Sequence, residues 1–310
     1  MIQVEGLTKY YGNYKAIDRI SFFADVGEVV GFVGRNGAGK TTTIRILTGY
    51  MPPNEGSVTV AGYDVLEQPI DMRQKLGYLP ETVPLYREMT VWQYVEYFAS
   101  LRGLSGADRE RRVEIALEKV NMLERENSMI TSISKGMRQR VGLAQAIVHD
   151  PEVLILDEPM IGLDPDQRAE MRAIIDEIGE DRTVFLSSHD LAELEKVADR
   201  VLMIHKGQIV AEDTPDALAT RLEGERRFFL RLGNADLQTA ADLITQIEGV
   251  LTAVVKDDGI EVAHPQDLDV RPIVATTVVG NEWDLLELKP LGTSLEDVFL
   301  RLTGEDAETR

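Results

Sequence analysis

The chain has 310 residues, 44% of them hydrophobic, with 53 acidic against 33 basic side chains and a net charge of −20. That length favours two domains, and the acidity argues against non-specific binding to nucleic acid or anionic membranes, which requires a basic surface. The absence of cysteine excludes a disulfide framework and a thiolate zinc site. No apolar run approaches the roughly eighteen residues of a bilayer span, and strand character from Ile2 leaves no room for a signal peptide, so a cytosolic protein is expected.

Residues 2–7, 16–24 and 29–33 read as strands separated by turns. Between the first two lies Lys9-Tyr10-Tyr11-Gly12-Asn13-Tyr14, where an aromatic ring could stack on a nucleotide base. A surface tyrosine beside a turn is the plain alternative. The apolar run 29–33 leads into Gly34-Arg35-Asn36-Gly37-Ala38-Gly39-Lys40-Thr41, and Thr41-Thr42-Thr43-Ile44-Arg45-Ile46-Leu47 reads as a helix. Strand, G-x-x-x-x-G-K-[ST] loop and helix are the context of a phosphate-binding P-loop. Its glycines let backbone N–H groups turn inward, and the helix start adds positive potential. Lys40 would reach the β/γ-phosphates, and the Thr41 hydroxyl would ligate Mg²⁺. A nucleoside triphosphate is the expected ligand.

A turn cluster at 52–56 precedes a strand at 57–61, a helix over 64–75 and a short strand at 76–79 ending at Pro80. The loop Glu81-Thr82-Val83-Pro84-Leu85-Tyr86 follows. Residues 90–148 are helical by period, with Thr90 and Gln93 as a capping box and Val91, Tyr94, Val95, Phe98 and Leu101 on one face. A further helix starts near Ser134 and runs to His149. The uninterrupted apolar run 153–156 suggests a strand covered on both faces, ending in Asp157-Glu158-Pro159. A helix over 165–178, a strand over 183–187 ending at Ser188-His189-Asp190, a helix over 190–199 and a hairpin at 201–211 complete this part. Thr214-Pro215-Asp216 caps one more helix. A boundary is expected at Gly224-Glu225-Arg226-Arg227, separating a domain of residues 1–222 from one of residues 225–310. The order βαββαβ after it suggests a small ferredoxin-like domain, and Ser294-Leu295-Glu296-Asp297 caps a final helix.

A P-loop holds phosphates without hydrolysing them, so a carboxylate site is needed as well. Asp157 and Glu158 end a buried strand and point apart, which lets Asp157 hold Mg²⁺ while Glu158 orients or deprotonates water. His189 ends a strand expected beside that of Asp157, on the edge where parallel sheets bind ligands, and there it could contact the γ-phosphate. A satisfied structural histidine is the alternative.

These motifs together resemble an ATP-binding-cassette (ABC) transporter ATPase over residues 2 to about 222. The resemblance implies an α/β P-loop NTPase with an antiparallel β subdomain and a helical subdomain at about 83–150, plus the small α+β domain. It makes Tyr11 the adenine-stacking aromatic, Gly34 to Thr42 the P-loop, Asp157 and Glu158 the Walker B pair, Gly162-Leu163-Asp164-Pro165 the D-loop and His189 the switch histidine. Ile133-Ser134-Lys135-Gly136-Met137 takes the place of the LSGGQ signature. Ser134 is an N-cap at a second anion-ready helix start. The family solution is a head-to-tail dimer, in which Ser134 and Gly136 contact nucleotide held by the partner's P-loop.

Two departures stand out. Glu81 occupies the Q-loop glutamine position, where a carboxylate can still coordinate Mg²⁺ but adds negative charge. Lys135 and Met137 replace a glycine and a glutamine of the signature. Both variants, with Ser294-Leu295-Glu296-Asp297-Val298-Phe299-Leu300, resemble exporter ATPases paired with separate permeases, as in the gliding-motility, copper-enzyme-maturation and antibiotic-export branches. The resemblance implies ATP and Mg²⁺, a membrane permease gripped by residues 82–105, a homodimer or paired ATPase, and a place on the cytoplasmic membrane face. A soluble ABC ATPase of DNA repair or translation, and a poorly hydrolysing nucleotide-gated module, are the alternative functions.

Overall fold

A computed structural model describes residues 1–221, 225–265, 267–291 and 295–303; the expected boundary glycine Gly224 and cap Ser294 lie outside these. The chain divides into two compact units, Met1–Pro215 and Asp216–Arg310.

In the first unit, β1 (Ile2–Tyr11) and β2 (Tyr14–Ala24) form a hairpin around Gly12-Asn13. Both strands outrun the sequence expectation, because the pairing extends through Tyr10 and Tyr11 to the turn itself. The wholly buried β3 (Val29–Val33) leads through the glycine loop into α1 (Lys40–Leu47). β4 (Glu55–Val60), β5 (Tyr63–Asp64), α2 (Pro69–Lys75) and β6 (Leu76–Leu79) follow. The helix expected over 64–75 begins only at Pro69. Asp64 accepts the N–H groups of Leu66 and Glu67 and turns the chain first, and proline then suits the opening turn.

Next come α3 (Val91–Leu101), α4 (Gly106–Lys119) and α5 (Lys135–Ile147). The Thr90–Gln93 capping box is formed, and Val91, Tyr94, Val95 and Ala99 are the buried face of α3. Leu101, placed on that face by period, is 63% exposed where the helix stops. Then follow β7 (Val153–Asp157), α6 (Pro165–Gly179), β8 (Thr183–Ser188), the single turn α7 (Leu191–Leu194), β9 (Arg200–His205) and β10 (Gln208–Asp213). After Leu194 the expected helix over 190–199 gives way to turns.

Strands β2-β1-β4-β5 make an antiparallel sheet, and β10-β9-β3-β8-β7-β6 a six-stranded one. In the latter all neighbours from β9 to β6 are parallel and only β10 runs against them. β3, β7 and β8 are buried at every residue, as strands covered on both faces must be. Phe22 of β2 stacks on Phe185 of β8 at 5.5 Å, and Phe32 of β3 lies 5.3 Å from Phe185, so three rings join the two sheets. That apolar contact holds the hairpin against the parallel sheet.

The second unit comprises most of α8 (Pro215–Arg221), then β11 (Glu225–Gly233), α9 (Leu237–Thr245), β12 (Thr252–Lys256), β13 (Gly259–Pro265), α10 (Arg271–Gly280), β14 (Asp284–Leu291) and α11 (Leu295–Thr303). Its sheet has the order β12-β13-β11-β14 with every pair antiparallel, which is the ferredoxin-like arrangement. Phe228, Leu230 and Ile260 from the sheet pack with Ile244 and Val274 from the helices. Among the described residues no helix is long and apolar enough to cross a membrane.

Candidate functional site

The parallel sheet delivers four chain segments to one edge. β3 runs into the glycine loop, β7 into Glu158, β8 into His189, and β6 into Pro80 and Glu81. Ligands of such sheets bind outside these carboxyl ends. A cavity of about 370 Å³ opens there, lined by residues 35–42 except Ala38, by Tyr11, Tyr14 and Ala16 of the hairpin, and by Glu81, Glu158, Ile161 and His189.

Two glycines fix the loop. A Cβ on Gly34 would lie 2.3 Å from the Ile204 carbonyl oxygen, and Gly39 caps α1 at a φ of 119°, which strongly disfavours side chains. The Ala38 N–H donates to the Arg35 carbonyl at 3.0 Å, and the Gly207 N–H donates to Ala38 at 2.9 Å. No side chain caps α1, and its first turn carries no acid. Its leading N–H groups therefore keep their capacity to bind an anion.

Beneath this loop the charges are in tension. Lys40 is 7% exposed; its Nζ donates to the Gly34 carbonyl at 2.5 Å and lies 3.7 Å from Glu158 Oε1. Burial pulls the Lys40 pKa down, opposed by Glu158, Asp157 and Glu81. Burial pushes the Asp157 carboxyl up, and Glu81 and Glu158 add to the push against the Ser187 hydroxyl, which donates to Asp157 at 2.6 Å. An anion beside Lys40 and a cation beside Asp157 would each relieve this.

Glu158 adopts a φ of 50°, a left-handed conformation that costs a non-glycine residue about 1 kcal/mol or more. Its N–H donates to Ser187 Oγ at 3.0 Å. Its Oε2 lies 2.8 Å from His189 Nδ1 and accepts the His189 N–H at 3.3 Å. Lys40, Glu158 and His189 thus form one chain of contacts facing the cavity, the arrangement needed to hold a phosphoryl group and orient water against it.

A family model described as ABC transporter matches residues 17–161. The bacitracin transport ATP-binding protein BcrA of Bacillus licheniformis is 33% identical over 98% of this chain and 97% of its own length. The chain belongs to the ABC transporter family. The daunorubicin resistance ATP-binding protein DrrA3 of Streptomyces coeruleorubidus is 31% identical over 100% of this chain and 98% of its own. A solved ATP-binding subunit of an ABC transporter, 33% identical, aligns with a TM-score of 0.65 over 71% of this chain and 92% of its own. This chain is thus an ATP-binding ATPase subunit of that family.

Not every expected residue of the ABC ATPase meets at this cavity. Tyr11, Arg35, Asn36, Gly37, Gly39, Lys40, Thr41, Thr42, Glu81, Glu158 and His189 line it. Gly34, Ala38 and Asp157 lie behind the lining and shape it. Ser134, Gly136 and Asp164 stand apart. Ser134 caps α5 by accepting the Met137 N–H at 3.2 Å, and Asp164 caps α6 by accepting the Gln167 N–H at 2.9 Å. Gly136 is buried against Gln167, whose Oε1 would lie 2.3 Å from a Cβ there. The two departures from the family pattern share a second cavity of about 710 Å³, lined by Glu81 and Lys135 with Arg87 and Arg138. Glu81 and Ile161 line both cavities.

Sequence reasoning missed Ser187, and it left Tyr14 within the aromatic stretch 9–14 from which the resemblance singled out Tyr11 alone. Ser187 pairs in register with Asp157 and hydrogen-bonds both Asp157 and Glu158. Its signal was the switch from apolar residues to Ser187-Ser188 where β8 ends. For Tyr14 the signal was its place directly after the Gly12-Asn13 turn, opposite Tyr11.

Proposed function

We propose that this ABC ATPase powers an exporter, hydrolysing ATP on the cytoplasmic face of a membrane to drive a separate integral permease. The observation that carries this reading is the contact chain from Lys40 through Glu158 to His189 at the mouth of the P-loop. Loop amides and Lys40 bind the β- and γ-phosphates. Glu158 orients the attacking water and takes its proton, and His189, held by that carboxylate, meets the γ-phosphate. Tyr11 stacks on the base.

Thr41, Asp157 and Glu81 would be the oxygen donors for Mg²⁺. The set fits a hard cation, because the Asp157 charge is buried beside two further carboxylates. When bound, Mg²⁺ supplies positive charge against the phosphate oxygens.

Ser134, Gly136 and Asp164 lie off their own chain's cavity, which supports their serving a partner's nucleotide in a head-to-tail homodimer or with a paired ATPase. Residues 1–222 form the ATPase, with its helical part at about 83–150, and residues 225–310 an accessory dimerisation domain. Residues 82–105 meet the permease; there Tyr86 and Tyr97 are 44% and 40% exposed. The relatives' names, bacitracin transport and daunorubicin resistance among them, support a drug-like cargo. No role with nucleic acid is proposed, in keeping with the net charge of −20. Affinity purification from membranes should bring down a polytopic protein. A chain found only in the soluble fraction, with no such partner, overturns the exporter reading.

A further inference from the structure

The two-residue turn Gly12-Asn13 makes Tyr11 and Tyr14 directly opposed partners at the end of the β1–β2 hairpin. Opposed residues of an antiparallel pair project to the same face, with Cβ atoms about 5 Å apart. Both rings line the nucleotide cavity, and both are open, at 46% and 60% exposure. The two differ in their anchorage. The Tyr11 hydroxyl lies 3.3 Å from the Met51 sulfur, whereas the Tyr14 side chain has no hydrogen bond, ring contact or ion pair among the described residues. A ring so exposed contributes little to the fold, yet it stands beside the residues that hold the triphosphate.

We propose that Tyr14 is a second base-contacting residue, and that Tyr11 and Tyr14 form one two-ring stacking surface for the nucleotide base. Tyr11 is the fixed half, steadied by Met51. Tyr14 is the free half, ordered when the base covers it. The cavity has the two walls this needs: Tyr11, Tyr14 and Ala16 form its hairpin side, and residues of the loop from Arg35 to Thr42 form its phosphate side. Stacking on an aromatic face contributes to affinity whatever the base edge carries. This inference rests on the triphosphate site proposed above.

The test compares the full-length chain with its Tyr14→Ala, Tyr14→Phe and Tyr11→Ala variants by steady-state ATP hydrolysis, with inorganic tripolyphosphate as a competitor that lacks a base. Each alanine variant should raise KM for ATP about tenfold and leave kcat within about twofold. The phenylalanine variant should match wild type, and the tripolyphosphate inhibition constant should stay constant throughout. An unchanged KM in Tyr14→Ala overturns the proposal. So does equal weakening of ATP and tripolyphosphate, which would show a distorted phosphate loop instead. A wild-type chain that engages neither ATP nor tripolyphosphate overturns the site reading itself.

Discussion

Helix α1 is capped by Gly39, which has no side chain to accept the N–H groups of the first turn, while α5 is capped by Ser134, whose hydroxyl oxygen already accepts the Met137 N–H. Around α1 the surroundings are finished: Lys40 is buried, Gly34 is pressed against Ile204, and the opposing carboxylates lie within the same chain. Around α5 they are open. Ser134 and Lys135 are exposed, no acid occupies the first turn, and Ser134 is not among the residues that line the P-loop cavity of its own chain. Both starts can bind an anion by their N–H groups. Only the first is complete as a site, and the incompleteness of the second is what a dimer would supply.

The largest effect should come from the finished side. Glu158→Gln keeps the volume and an oxygen acceptor but removes the base, so turnover should fall at least about a hundredfold while ATP binding persists. Hydrolysis assays with parallel nucleotide-binding measurements check this. Turnover within tenfold of wild type would remove Glu158 from that role and leave the two helix starts without a catalytic distinction.

A second effect concerns how α5 is anchored. Just past its end, His149 Nε2 lies 3.1 Å from the Leu76 carbonyl at the start of β6, the strand that runs on through Pro80 to Glu81. Burial, with Arg102 nearby, depresses the His149 pKa to about 4. The folded state therefore resists protonation. The stability this group contributes is fully present above its unfolded pKa of about 6.5 and is lost as pH falls toward 4. Denaturant unfolding should show a loss of about 2 kcal/mol or more between pH 7 and 4.5. His149→Gln should flatten that dependence, and an unchanged pH slope in the variant would assign the loss elsewhere.

Most of the α1 site was legible because its parts are contiguous: apolar strand, glycine loop and helix follow one another, and Asp157-Glu158 closes another apolar run. The ferredoxin-like order of the second unit was legible for a similar reason, since its strands and helices alternate cleanly along the chain. Ser187 was not legible, because its role depends on the β7–β8 register that sets it opposite Asp157, and no local pattern encodes pairing across 30 residues. Lys135 is a similar case. The sequence marks it as a departure from the family signature, but only the fold shows its amine packed over Gly162, where a Cβ would lie 2.0 Å from Nζ. Leu101 failed for a different reason: it lies in the last turn of α3, where helical period still assigns it to the buried face although it is 63% exposed.

The smallest expected effect separates the two duties of Ser134. As a cap it stabilises α5 by about 1 kcal/mol, and Ser134→Ala should lose that amount in denaturant unfolding. Aspartate caps as well as serine, so Ser134→Asp should unfold like wild type. If the hydroxyl also faces a partner's phosphate, the added negative charge must repel it, and Ser134→Asp should hydrolyse ATP more slowly than Ser134→Ala despite its better cap. Stability and turnover then rank the two variants in opposite orders. The same ranking by both measurements would make Ser134 a cap alone and would leave α1 as the chain's single working anion site.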